Sequence, residues 1–280
     1  MKVLVTGIKG QLGFDVMKEL KRRQIDSLGA DIEDFDITDE KAARDFIVSN
    51  RPDAVIHCSA YTAVDKAEDN PELCRAVNAE GPRNIAKVCK EIDAKMIYIS
   101  TDYVFPGDGA AFYETDVVIG PLSVYGQTKL EGELAVKELL YKHFIVRISW
   151  VFGINGNNFI KTMLKLSETR SEVSIVSDQI GSPTYTADLA PLLCEMVVTD
   201  KYGTYHATNE GTCSWAELAE ETFKIAGRNT KVNFITTEKY PTRAIRPKNS
   251  RLSKKSLDAA GFKRLPEWQD AVKRYLVELQ

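Results

Sequence analysis

The stretch Lys2-Val3-Leu4-Val5-Thr6-Gly7-Ile8-Lys9-Gly10-Gln11-Leu12-Gly13 decides the fold. Its apolar run, Val3-Leu4-Val5, suits a buried strand, and Val16, Met17 and Leu20 then recur at helical spacing. Strand, glycine-rich turn and helix in that order form the context a dinucleotide-binding fingerprint requires. Gly7 permits a tight turn, Gly10 lets backbone approach a pyrophosphate, and Gly13 lets helix pack close to strand. The anion would rest on free N–H groups at the helix start. Gln11 and Leu12 lie in the same turn and join the three glycines as cofactor-binding candidates. The spacing is GxxGxxG rather than GxGxxG, so a plain strand–helix turn also fits these glycines.

Outward from this turn, Asp31 closes a second strand and lies 18 residues beyond Gly13. An acid at about 20 residues is where a ribose 2′-OH is bound. A carboxylate there repels a 2′-phosphate, and no Lys or Arg follows before Lys41, which favours NADH over NADPH. Asp36 and Ile37 are expected to flank the adenine, with Thr38 capping the next helix.

The apolar runs at 3–5, 54–57, 96–99 and 145–148 read as buried parallel strands. Amphipathic segments such as 40–49 and 78–92 fall between them. The strands ending near His57, Ile99 and Ile148 count as fourth, fifth and sixth in this reading. Alternation of this kind predicts an α/β fold, a Rossmann-type doubly wound parallel sheet. The informative residues follow strand ends, where such sheets bind ligands. After residue 152 the loops lengthen, so residues 1–152 are assigned to an NAD(P)-binding domain. Residues 153–280 are assigned mainly to a smaller C-terminal substrate-binding domain, part of it returning to the sheet. Asn158 is expected to start a helix, and Ser214-Trp215-Ala216-Glu217 matches a capping box.

The chain has 280 residues, is 44% hydrophobic and carries a formal net charge of −3, enough for a substantial core and no nucleic-acid surface. No apolar run reaches membrane-spanning length and no signal pattern precedes the first strand. Five widely spaced cysteines with no CxxC pair point to reduced thiols and a cytoplasmic protein. His57, His143 and His206 are isolated and read as structural. The scattered carboxylates give no support for Mg2+, and no metal site is assigned.

Tyr125 and Lys129 lie four apart at the start of an apparent helix, on one face. A cation beside a phenol favours the phenolate and brings proton exchange with a substrate within reach. With the glycine turn, Thr101 and Tyr125-x-x-x-Lys129, the chain resembles the extended short-chain dehydrogenase/reductase superfamily. The segments 60–68, 100–105, 149–153 and 178–184, together with Arg246-Pro247, Ser250 and Leu252, look like the dTDP-4-dehydrorhamnose reductase family. That resemblance runs nearly end to end.

It implies hydride transfer from NADH or NADPH to the C4 ketone of dTDP-4-dehydro-L-rhamnose. Tyr125 would donate the proton, Lys129 would hold the nicotinamide ribose and lower the tyrosine pKa, and Thr101 would hydrogen-bond the carbonyl. Asp102 and Trp150 match positions touching the sugar; Ala60, Tyr61 and Thr62 match the stretch along the cofactor. Arg246 is the candidate for the substrate diphosphate, since guanidinium meets phosphate oxygens in bidentate fashion. A homodimer is expected by the same resemblance. Plainer readings stand beside these: Arg246 or Asp65-Lys66 in surface ion pairs, Trp150 as a core aromatic, Thr101 in an ST-turn. Two other functions remain open, a regulatory subunit similar to the methionine adenosyltransferase β subunit, and a nucleotide-sugar epimerase or dehydratase.

Overall fold

A computed structural model of the chain describes residues 1–117 and 119–280. Its centre is a six-stranded parallel sheet. The strands β1 (Lys2–Thr6), β2 (Asp26–Ala30), β3 (Ala54–His57), β4 (Lys95–Thr101) and β5 (His143–Ile148) are joined by Gly203–His206. The spatial order is Gly203–His206, β5, β4, β3, β1, β2. The expected doubly wound sheet is therefore present, with a different count. The strands ending at His57 and Ile148 are the third and fifth, and the one containing Ile99 is the fourth. No strand forms between β2 and β3. Asp31, Asp34 and Asp36 turn their carboxylates onto nearby backbone N–H groups there, which competes with a ladder. The sixth strand comes from the second half of the chain.

The pleat explains the apolar runs. Val3 and Val5 face one layer, containing helix α1 (Gln11–Arg22) and the helix Thr186–Met196, with Val16, Leu189 and Leu193 in contact. Leu4 faces the other, where Ile47 of helix α2 (Glu40–Asn50), Ile85 and Val136 pack. Both faces are covered, so strands read as continuous hydrophobic runs rather than alternating ones. Leu257, Phe262 and Leu265 from the far end of the chain also pack on the first layer. Helix α2 is capped by Asp39, which accepts from the Ala42 N–H. Thr38 instead bonds the Asp36 carboxylate, correcting the expected cap.

The expected helix at 78–92 is a longer run, Pro71–Arg75, a π-turn Ala76–Glu80 and Gly81–Glu91. The remaining chain builds a smaller layer from paired short strands and the helices Phe159–Ser167, Trp215–Ile225 and Trp268–Glu278. Asn158 caps the first of these, and Ser214 with Glu217 forms the expected capping box on the second. Among the described residues no helix is long and apolar enough to cross a membrane.

Candidate active site

A cavity of about 890 Å³ runs along the carboxyl ends of β1 to β5. Gly7, Gly10, Gln11, Leu12, Gly13, Asp31, Asp36 and Ile37 line one end; Thr101, Asp102, Tyr125, Lys129, Trp150 and Arg246 line the other. Ala60, Tyr61 and Thr62 lie between them. Every residue singled out for the site from sequence thus borders one cavity.

The glycine end is built from backbone. Gly7 has φ +72°, and a Cβ on Gly13 would sit 2.2 Å from the Gly7 carbonyl oxygen, so the turn closes only with glycine at both positions. Gly10 starts α1 without a side-chain cap, and no acid lies in the first turn. The first N–H groups are left for an anion. Asp31 accepts from the Lys9 N–H at 3.0 Å and the Ile32 N–H at 2.9 Å. A dinucleotide fits this donor set: diphosphate on the helix start, ribose hydroxyl on Asp31. The Gln11 side chain is otherwise engaged. Its amide oxygen accepts from Gly153 N–H at 2.9 Å and from Asn158 at 3.0 Å, tying the turn to the second half of the chain.

The other end is built from side chains, of which Thr101, Asp102 and Lys129 are buried. Thr101 closes β4, and Asp102 opens a short 3-10 turn, Asp102–Val104. Tyr125 and Lys129 stand on the helix Val124–Leu139, whose start is capped by Ser123 and by Glu68 accepting from Val124 N–H at 2.9 Å. A Cβ on Gly126 would lie 2.3 Å from the Tyr103 carbonyl oxygen, so glycine lets this helix press against the 3-10 turn. The Tyr103 and Tyr125 rings meet edge to face at 5.4 Å.

Thr101 Oγ1 accepts from Tyr103 N–H at 3.2 Å, the expected ST-turn, and donates to Asp102 Oδ1 at 3.0 Å. Asp102 Oδ2 accepts from Ser250 at 2.5 Å. Burial pushes the Asp102 carboxyl up to about 6, against the pull of these two hydroxyls. Burial also raises the Tyr125 phenol, while the Thr101 hydrogen bond lowers it. Lys129 makes no hydrogen bond to Tyr125 among the described residues. Its ammonium donates to the Ile99 carbonyl at 2.7 Å and lies 4.1 Å over the Tyr98 ring. Burial brings Lys129 down to about 7, the Glu133 charge opposing.

Trp150 is not merely a core aromatic. It holds φ +51°, sparsely populated for any side chain and found where surroundings enforce it. Its indole lines the cavity and stacks on Trp215, with centroids 3.8 Å apart. Arg246 pairs with Asp65 at 2.6 Å and donates to the Tyr103 hydroxyl at 3.2 Å. The ion-pair reading of Arg246 therefore holds, inside the cavity wall rather than on open surface. Asp65 takes Arg246 rather than Lys66.

Three neighbours escaped the sequence reading. Trp215 was legible only as the residue after a helix cap. Asn78 sits in the π-turn, where such bulges often mark functional sites. It clamps the Tyr61 main chain through a donated and an accepted bond, at 3.1 and 2.8 Å. Ser250 was legible only as part of a motif. His57 and His206 are buried, and burial holds both down to about 3, neutral near pH 7. Among the described residues no group of His, Cys, Asp or Glu could hold a metal ion.

Residues 1–280 match the family model described as RmlD substrate binding domain. A dTDP-4-dehydrorhamnose reductase of Streptomyces griseus is 42% identical over 278 residues, covering 96% of this chain and 91% of the relative. The solved dTDP-4-dehydrorhamnose reductase of Clostridium acetobutylicum superposes with a TM-score of 0.98 at 42% identity, covering 100% of both chains. That of Bacillus anthracis, solved in complex with NADP, has a TM-score of 0.97 at 42% identity, covering 99% of both chains.

Proposed function

The chain belongs to the family described as RmlD substrate binding domain, and from that membership we propose an NAD(P)H-dependent oxidoreductase that converts dTDP-4-dehydro-L-rhamnose to dTDP-L-rhamnose by reducing the C4 ketone. One observation carries the reading: buried Thr101 and Lys129 and half-buried Tyr125 share a cavity with a glycine turn and Asp31. The full-length relatives named for this activity support it. Neither a regulatory subunit nor an epimerase or dehydratase is favoured by a residue of this site.

Gly7, Gly10, Leu12, Gly13, Asp31, Asp36, Ile37 and the 60–62 stretch hold the dinucleotide, with Gln11 fixing the turn to the 153–158 loop. When bound, the reduced nicotinamide supplies a hydride to C4. Tyr125 gives its phenolic proton to the oxygen that becomes the C4 hydroxyl, and Thr101 orients that oxygen. Lys129, buried and without a partner carboxylate, turns its ammonium to the ribose hydroxyls. Asp102 and Trp150 contact the sugar. Arg246 takes the substrate diphosphate, exchanging its single contact with Asp65 for bidentate contacts with phosphate oxygens. Residues 1–152 serve mainly the cofactor and residues 153–280 mainly the substrate.

Asp31 favours NADH by accepting from the 2′-OH. Lys9 stands at the same end, its side chain on Glu33, and the Bacillus anthracis relative takes NADP. The preference for NADH is therefore modest, and both cofactors are used. The enzyme works in the cytoplasm as a homodimer, twofold assemblies being the commonest oligomers.

The test is consumption of NADH or NADPH with enzymatically generated dTDP-4-dehydrorhamnose, wild type against Tyr125→Phe. Loss of the general acid should reduce turnover by ~10²–10⁴-fold with cofactor affinity kept. Unchanged turnover would remove Tyr125 from the reaction. No turnover in the wild type, with cofactor bound, would overturn the reductase reading.

A further inference from the structure

The motif at 246–252 contributes more than Arg246. Ser250 is 1% exposed, Asp102 2% and Thr101 5%, and they form an unbroken chain of hydrogen bonds. Ser250 Oγ donates to Asp102 Oδ2 at 2.5 Å, and Thr101 Oγ1 donates to Asp102 Oδ1 at 3.0 Å. Ser250 lies in the short strand Asn249–Ser250, paired in parallel with Ile180–Gly181. Gly181 makes room for it: a Cβ there would meet the Ser250 Cβ at 2.9 Å and the Trp150 ring at 3.0 Å. The smaller layer therefore delivers one hydroxyl to the carboxylate behind the reacting end of the cavity.

We propose that Ser250 is a positioning residue of the reaction, which fixes the Asp102 carboxyl and through it sets the direction in which the Thr101 hydroxyl points its proton. The inference rests on the reductase reading of the same cavity. The physical argument is a count of donors. An ionised Asp102 only accepts, so both hydroxyls give it their protons. Thr101 then has no proton for a substrate carbonyl. A protonated Asp102 donates to Thr101 Oγ1, and the Thr101 proton is released towards the carbonyl that Tyr125 also faces. The form competent for reduction is the protonated one.

No charged side chain is among the groups that set the proton affinity of Asp102; burial and the two hydroxyls do so, with a backbone N–H. The titratable groups facing it are the phenols of Tyr103 and Tyr125. Arg246, paired with Asp65, reaches only the Tyr103 hydroxyl, and the Lys129 ammonium is turned to the Ile99 carbonyl.

Ser250 stabilises the ionised form, so its loss raises the Asp102 pKa. A hydrogen bond to a charged group corresponds to a shift of roughly one pH unit or more. In Ser250→Ala the alkaline limb of kcat should move up by about that much, with the acid-side plateau of kcat lowered because the carboxyl is no longer held, and the KM for the dinucleotide unchanged. The same upward shift should appear when the Asp102 carboxyl is titrated by its carbon-13 resonance, a readout independent of turnover. A profile and a titration that superimpose on the wild type would overturn the proposal, whatever happens to kcat. Ser250→Cys, nearly isosteric and a weaker donor, carries the same test with a smaller shift where the alanine variant does not fold. A wild type without turnover would overturn the reductase reading alone, and the carbon-13 titration would still decide whether Ser250 tunes Asp102.

Discussion

Lys129 and Glu133 sit one turn apart on the same helix, and both are buried, yet their surroundings differ in kind. Glu133 receives two bonds from Arg147, at 2.8 and 2.7 Å, and the pair is wholly enclosed. Burial pushes its carboxyl up, but the Arg147 hydrogen bonds and charge pull it further down, below the usual range. Lys129 has a carbonyl and an aromatic face but no carboxylate partner, and burial carries it down to about 7. The first charge is finished within the fold. The second has no ion-pair partner among the described residues, and its burial costs stability. The same contrast separates Arg147, 1% exposed, from Arg246, which lines the cavity on a half-buried pair with Asp65.

The largest effect should come from breaking the finished pair. Glu133→Gln leaves the Arg147 guanidinium buried without a counter-charge, a loss of about 3–5 kcal/mol. Denaturant unfolding should show this as a lowered midpoint with an unchanged slope. A loss below about 1 kcal/mol would mean that water or His206 already satisfies Arg147, and the contrast with Lys129 would weaken. A smaller effect is expected at the cofactor end, where binding rests on backbone. On the proposed reading, Asp31→Ala removes one hydrogen bond to the ribose and weakens NADH, by about 1 kcal/mol or several-fold in affinity, more than NADPH. Equal losses for both cofactors, measured by titration, would show that Asp31 serves only to hold the Lys9 and Ile32 N–H groups.

What could be read from sequence follows the same division. The glycine turn and the Ser214 capping box depend on chemistry within a few residues, and both form as that chemistry requires, while Asp31, Tyr125 and Lys129 line the same cavity. The strand count was one too high before Ala54, since three Asp side chains in 31–36 bond backbone N–H groups and hold the segment after β2 in turns. The run around His206 reads as strand-like, but its four residues, Gly-Thr-Tyr-His, hold no apolar run that would place them at the sheet edge beside β5. The roles of Trp215, Asn78 and Ser250 depend on partners far away in sequence; Ser250 and Asp102 are 148 residues apart. No local pattern encodes such a contact. Spacing put Tyr125 and Lys129 on one helix face, but it does not fix where the ammonium points, which is the Ile99 carbonyl.

The most direct test of this account is Lys129→Met, measured for both stability and turnover. Lys129 binds a proton less readily in the fold than in the unfolded chain, so wild-type stability should rise as pH increases from about 7 towards 10. Replacing the ammonium with an apolar side chain should remove that slope and stabilise the fold at pH 7 by on the order of 1–3 kcal/mol, while turnover with the keto sugar is lost. A variant that is less stable than the wild type, or that still reduces the sugar, would contradict the claim that this charge is kept unpaired for the reaction.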